Sequence, residues 1–207
     1  MRKLLLFFMV IGIVFVSSGC ITQKAHYLFN LESVQRPGWV VSQYGIGSLE
    51  GLIFEDSLCK VVFSPEERGI GFELTNKSNR TIKIVWDEVA YVDQYKSSYR
   101  VFHLGTKFIH SDRPQPVSSV PTNAKLDDLI VPVDYAEWRS SGWQIRRLFP
   151  ETSSAGLFIP ELFVPARELK NLVSSLNDKS ISIFLPLKVG DYTNEYLFVF
   201  RVRMWIR

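Results

Sequence analysis

Cysteine is nearly missing from this chain: Cys20 and Cys59 are the two in 207 residues. A scaffold stapled by several disulfides is therefore excluded. Histidine is scarce as well, with His26, His103 and His110 only. None of the three falls in an HxH, HExxH or CxxC-type spacing, so the sequence offers no zinc ligand set. Basic residues barely outnumber acidic ones, 24 against 21, and no long basic run occurs. Nucleic acid is accordingly a poor partner. No apolar stretch reaches the length of about twenty residues that a membrane-spanning helix needs. Phosphate loops, dinucleotide fingerprints, EF-hand loops and the G-x-S-x-G turn of serine hydrolases are missing too. The sequence thus predicts no metal, no cofactor and no enzymatic activity.

What is present begins at the N-terminus. Arg2 and Lys3 precede the apolar run Leu4 to Val16, broken only by Gly12, and Ser17, Ser18, Gly19 and Cys20 follow. Charge, apolar run and small residues in that order predict a secretory signal peptide over residues 1–19. The cysteine directly after the small residues resembles a bacterial lipobox. That resemblance implies cleavage between Gly19 and Cys20, with Cys20 acylated as the mature N-terminus. Ser17 departs from the pattern, because an aliphatic residue is usual there. Each buried methylene adds about 0.8 kcal/mol, so an anchor of two or three acyl chains is effectively permanent. The resemblance also implies a cell-envelope location. Ile21 in place of Asp after the cysteine favours the outer membrane, facing the periplasm, if the organism is diderm. With Arg2 and Lys3 removed, 22 basic residues face 21 acidic ones. Cys59 is then the one remaining thiol, in an apolar setting that predicts a buried and inert side chain.

Residues 20–47 read as a lipidated N-terminus and tether, with a short strand at His26 to Leu31 and turns around Pro37-Gly38-Trp39 and Gly45 to Gly47. Residues 48–207 read as one β domain. Leu49–Phe54 and Cys59–Ser64 predict a strand pair across Glu55-Asp56-Ser57. Ile70, Phe72 and Leu74 alternate with Gly71, Glu73 and Thr75, and Ile82, Ile84 and Trp86 alternate in the next segment. A five-residue polar turn, Asn76 to Arg80, joins these two into an expected hairpin, with Trp86 on its core face. Val89–Val92 and Tyr99–Leu104 predict a second hairpin. Residues 111–124 predict a long loop, Leu126–Val133 a strand, and Trp143–Leu148 another. Leu169, Leu172, Val173 and Leu176 recur at helical spacing after Pro165, which predicts one short helix. Two strands, Ile181–Leu187 and Tyr196–Ile206, close the chain. Eight to ten short strands without βαβ spacing predict a mainly β fold, an antiparallel immunoglobulin-like β-sandwich with one short helix in the C-terminal third.

Three segments carry a wider resemblance. They are Phe72-Glu73-Leu74-Thr75-Asn76-Lys77-Ser78, then Ile82 to Asp87 with Trp86-Asp87 at its end, then Arg100-Val101-Phe102-His103-Leu104-Gly105. With Phe184-Leu185-Pro186-Leu187 and the aromatic last strand, they resemble a group of uncharacterised bacterial membrane lipoproteins. The resemblance implies a sandwich domain on a lipid anchor and transfers no catalytic residues.

Candidate chemistry is sparse. Asp87-Glu88, Asp127-Asp128 and Glu137 are the carboxylates closest to a glycosidase pairing, and each reads more simply as turn or solvent-facing charge. Ser140-Ser141-Gly142 and Ser153-Ser154-Ala155-Gly156 read as loop. Arg201, Arg203 and Trp205 share one face of the last strand. They read as a solvated face guarded by arginine against edge pairing, or as a dock for anionic lipid, polysaccharide or a partner edge. Tyr135, Trp138, Arg139, Trp143, Arg146 and Arg147 concentrate aromatic and basic character in one segment and form the candidate partner surface. The expected function is a lipid-anchored envelope protein with a binding or structural role towards an envelope protein or glycan. An envelope hydrolase or a small-molecule or glycan-binding module is the alternative.

Overall fold

The computed structural model describes residues 25–37, 39–42, 49–66, 68–103, 113–148 and 166–206. The fold is mainly antiparallel β with one short helix, as the period-two patterning predicts. One layer is built on β1 (Ala25–Arg36), β2 (Trp39–Ser42), β13 (Ser180–Val189) and β14 (Tyr192–Ile206), in the order β2-β1-β14-β13. The far edge of β13 is shared by two short strands, β6 (Ile82–Ile84) and β7 (Ala90–Val92). The second layer runs β3 (Ile53–Glu55), β4 (Cys59–Pro65), β5 (Ile70–Asn76) and β10 (Lys125–Pro132). The layers join where β8 (Ser98–Phe102), the partner of β7, also pairs Phe102 with Val131 and Val101 with Pro132 of β10.

The alternating residues of both layers meet in an aromatic core. Phe54 of β3 and Phe63 of β4 approach Phe198 of β14 with ring centroids 5.5 and 4.8 Å away, and Phe63 lies 4.9 Å from Phe200. All are edge-on, the arrangement the ring quadrupole favours. Helix α1 (Ala166–Leu176) falls in the segment Pro165–Leu176 expected to be helical, starting one residue later, and buries Leu176 in this core. The turn after it covers β14: the Asp178 and Val202 N–H groups donate to the carbonyls of Val202 and Lys179, and the Met204 N–H donates to Asn177 Oδ1.

Two expectations change. The stretch assigned to a tether is part of the domain from Ala25 onward. β1 extends well beyond His26–Leu31, pairs with β14 over ten positions and buries Phe29, Leu31 and Val34. The second change concerns the expected hairpin of residues 70–86. The faces are right, since Ile70, Phe72, Leu74, Ile82, Ile84 and Trp86 are all buried. The pairing differs: β5 lies between β4 and β10, while β6 joins β13 and the short strand β9 (Ser118–Val120) in the other layer. The turn from Asn76 to Arg80 is therefore a crossover between layers. Asn76 fixes it, donating through Nδ2 to the carbonyls of Arg80 and Val120, both at 2.8 Å, and accepting from the N–H and hydroxyl of Ser78. Every polar atom of this buried amide is thereby used.

The chain also leaves the sheet sooner than predicted after Ile84. A 3-10 turn, Trp86–Glu88, drops the indole into the core before β7 begins. The exit faces Pro186, between the β13 residues that pair with Ile84 and Ala90. Proline has no N–H for a neighbouring strand, so this is where one leaves at least cost.

Cys59 is fully buried, and burial pushes its thiol up to about 12. Native protein is expected to resist iodoacetamide at pH 8 and to react completely once unfolded. Stability owed to the protonated thiol is intact below about 9 and falls as pH rises towards 12. Rapid labelling of the folded chain would contradict this burial.

Candidate functional site

Six residues of one segment were expected to form a partner surface, and the structure divides them by role. β11 (Ala136–Arg139) and β12 (Gly142–Ile145) form a two-stranded hairpin that pairs with no other described strand. Gly142 takes φ +107°, which only glycine adopts without strain, and so turns the chain at the tip. The register puts Trp138 opposite Trp143 and Ala136 opposite Ile145 on one face. The two indoles meet edge to face at 5.7 Å and remain 69% and 38% exposed. The opposite face is polar: Arg139 donates two hydrogen bonds to Glu137, at 2.7 and 3.2 Å, beside Gln144.

Tyr135 is the root of the hairpin, not part of its exposed surface. It is buried and packs edge-on against Tyr91 and Tyr99, at 6.2 and 5.5 Å. Arg146 covers its outer side, with the guanidinium 4.1 Å from the ring centre, and the Arg146 N–H donates to the Tyr135 carbonyl at 2.7 Å. Burial pushes the Tyr135 phenol up. Tyr91 and Tyr99 pair across β7 and β8, one ladder step from the turn Asp93–Ser97. Arg147 sits half-buried beside the buried Leu148, which closes the segment. The structure thus brings Trp138 and Trp143 together as a surface and uses Tyr135 and Arg146 to hold it. Gly19 and Cys20 lie outside the described residues, as does His110.

The carboxylate candidates separate. Asp87 and Glu88 belong to the 3-10 turn, and Asp87 faces Arg100 at 3.6 Å. Asp127 is exposed opposite Glu73. Asp128 points inward and meets His103, Nδ1 to Oδ2 at 3.1 Å, with both side chains nearly buried. The His103 ring stacks on Trp86 at 4.4 Å, 5° from parallel, and Asp128 also accepts the Leu129 N–H. This inward His–Asp–Trp cluster was not foreseen. Asp128 between apolar residues was its one trace in the sequence. Its contacts tie β8 and β10 to the 3-10 turn, which is a packing role.

Among the described residues, no group of three or more His, Cys, Asp or Glu side chains is placed to hold a metal ion. No helix among them is long and apolar enough to cross a membrane. No protein-family model, curated protein or solved structure matches the chain.

Proposed function

We propose that this chain is a lipid-anchored cell-envelope protein that binds an envelope protein through the β11–β12 hairpin, without catalysis. The lipobox-like Ser18-Gly19-Cys20 supports the anchor, and Ile21 supports the outer membrane in a diderm cell. The Trp138–Trp143 pair carries the binding role. A free two-stranded hairpin is marginal in water, and two indoles on one are a large apolar area left wet. Tryptophan, tyrosine and arginine are the residues most often responsible for affinity at interfaces, and this segment concentrates all three.

Cys20→Ala is expected to abolish incorporation of labelled fatty acid and to release the chain from membranes. Full retention with an intact N-terminus would assign the anchor to a transmembrane segment instead. A photo-reactive residue at Ser141 is expected to crosslink to one discrete envelope protein in intact cells. The Trp138→Ala/Trp143→Ala double variant should lose that crosslink while costing about 1 kcal/mol or less in stability, since the pair is exposed. A crosslink unchanged by the double variant would reject the hairpin as the contact.

A further inference from the structure

Arg201 of the last strand does not guard an edge. β14 lies between β1 and β13, so residues 197–201 have a strand on both sides. Arg201 is paired with Glu32, which sits at the irregularity in β1 between Leu31 and Ser33. Arg203 and Trp205 stand further along the same outer face, past the last β13 pair at Arg201.

Several elements converge where they lie. β1 starts at this end and β14 finishes there, with Leu28 opposite Arg203. β13 also starts there, preceded by Lys179, and the β7–β8 turn Asp93–Ser97 closes there. Lys96 of that turn reaches across to the Ser180 hydroxyl at 2.8 Å. Leu28, Trp205 and Tyr95 are 49%, 46% and 70% exposed. Lys96, Lys179 and Arg203 are exposed at the same end. Asp178, bonded to the Asn177 amide, is an exposed carboxylate at this end, and Asp93 is buried inside its own turn. From β1 across β14 to the β7–β8 turn, apolar and cationic residues are interleaved at this end of the sheet.

The covalent chain supplies the occupant. Only residues 21–24 separate Cys20 from the first residue of β1. Five Cα steps reach at most about 18 Å. The 15-residue β14 is about 50 Å long at the usual strand rise. A lipid on Cys20 therefore holds this end of the sheet near the bilayer and the other end away from it. Tryptophan and tyrosine favour the headgroup region, and lysine and arginine meet anionic phosphates there.

We propose that this end of the sheet lies on the anionic surface of the bilayer, with Leu28, Tyr95 and Trp205 at the headgroups and Lys96, Lys179 and Arg203 on lipid phosphates. The proposal rests on the lipid anchor, so its test reads anchor and face separately. The full chain is purified from membranes, and the mass of its N-terminal peptide reports acylation of Cys20. The same protein is reconstituted in vesicles of phosphatidylcholine and phosphatidylglycerol carrying a headgroup nitroxide lipid. The fluorescence of Trp205 is taken as the difference between the native chain and Trp205→Phe. It is expected to be quenched by the nitroxide lipid and sheltered from aqueous acrylamide. The Lys96→Gln/Lys179→Gln/Arg203→Gln variant should weaken docking of this end about a hundredfold, at roughly fivefold per cation, and return Trp205 to its acrylamide exposure in detergent. A Trp205 signal equally open to acrylamide in vesicles and detergent, on a chain with acylated Cys20, overturns the face and leaves the anchor standing. A chain without acyl mass overturns the anchor. Flotation with the vesicles then decides the face: loss in the triple variant supports it, and no difference overturns it.

Discussion

Replacing Trp86 by alanine is expected to cost about 3–5 kcal/mol, in the range of aromatic truncations in closed cores. Its indole is fully buried, stacks on His103 and lies 6.3 Å from Phe72. The Nε1–H donates to the Ser118 hydroxyl at 2.8 Å, linking the 3-10 turn to β9. Truncation would leave a cavity under the His103 ring and remove the surface against which the His103–Asp128 pair is held. Trp86→Phe keeps the stacking partner and loses the hydrogen bond, so about 1–2 kcal/mol is expected. Urea unfolding followed by far-ultraviolet circular dichroism measures both. A Trp86→Ala loss below about 1 kcal/mol would contradict the packing described.

Asp56→Ala should be nearly as damaging, at about 3 kcal/mol, for a different reason. Asp56 terminates β3 and accepts the N–H groups of Leu58 and Cys59 at 2.8 and 2.9 Å, which shapes the turn into β4. Its other oxygen accepts the Tyr196 hydroxyl at 2.7 Å and faces Arg36 at 3.3 Å. One carboxylate thus links the turn of the second layer to both long strands of the first. Alanine leaves the buried Tyr196 hydroxyl without its acceptor and Arg36 without its carboxylate, and Arg36 keeps Asn194 and the Tyr196 ring. Asp56→Asn retains an acceptor for the backbone and should cost about 1–2 kcal/mol. Adding Tyr196→Phe to Asp56→Ala should recover part of the loss, because removing both partners is cheaper than orphaning one. Strict additivity of the two would show that the hydroxyl does not depend on this carboxylate.

These two residues differ in how far the sequence revealed them. Trp86 was legible as core because it continued the alternation of Ile82 and Ile84, although the strand itself stops at Ile84. Period two reports which face is wet and says nothing about which strand lies alongside. That is why Ile70–Asn76 and Ile82–Ile84 were placed on the right faces and paired with the wrong neighbours. Adjacent pairs with short turns, β7 with β8 and β13 with β14, were legible because turn and pairing there are one local event. Asp56 read as a polar turn residue, since its partners Arg36 and Tyr196 are 20 and 140 positions away. The length of β1 was hidden because Asn30, Glu32, Ser33 and Gln35 interrupt its apolar residues, and its last strand neighbour, β14, stands at the opposite end of the sequence. The Trp138–Trp143 surface was legible as composition; the hairpin that pairs them was not.

The pairing of β1 with β14 also decides how the domain would carry load. Tension from the proposed acyl anchor would enter the fold at Ala25, the first residue of β1. Drawn along the strand, it bears on ten paired positions at once, so the ladder is pulled in shear and does not peel one bond at a time. Within and just past the ladder, β2 pairs the C-terminal part of β1 from its other side, at Ser33 to Arg36. β1 is thus held from both sides at Ser33 to Gln35, the part of the strand farthest from Ala25.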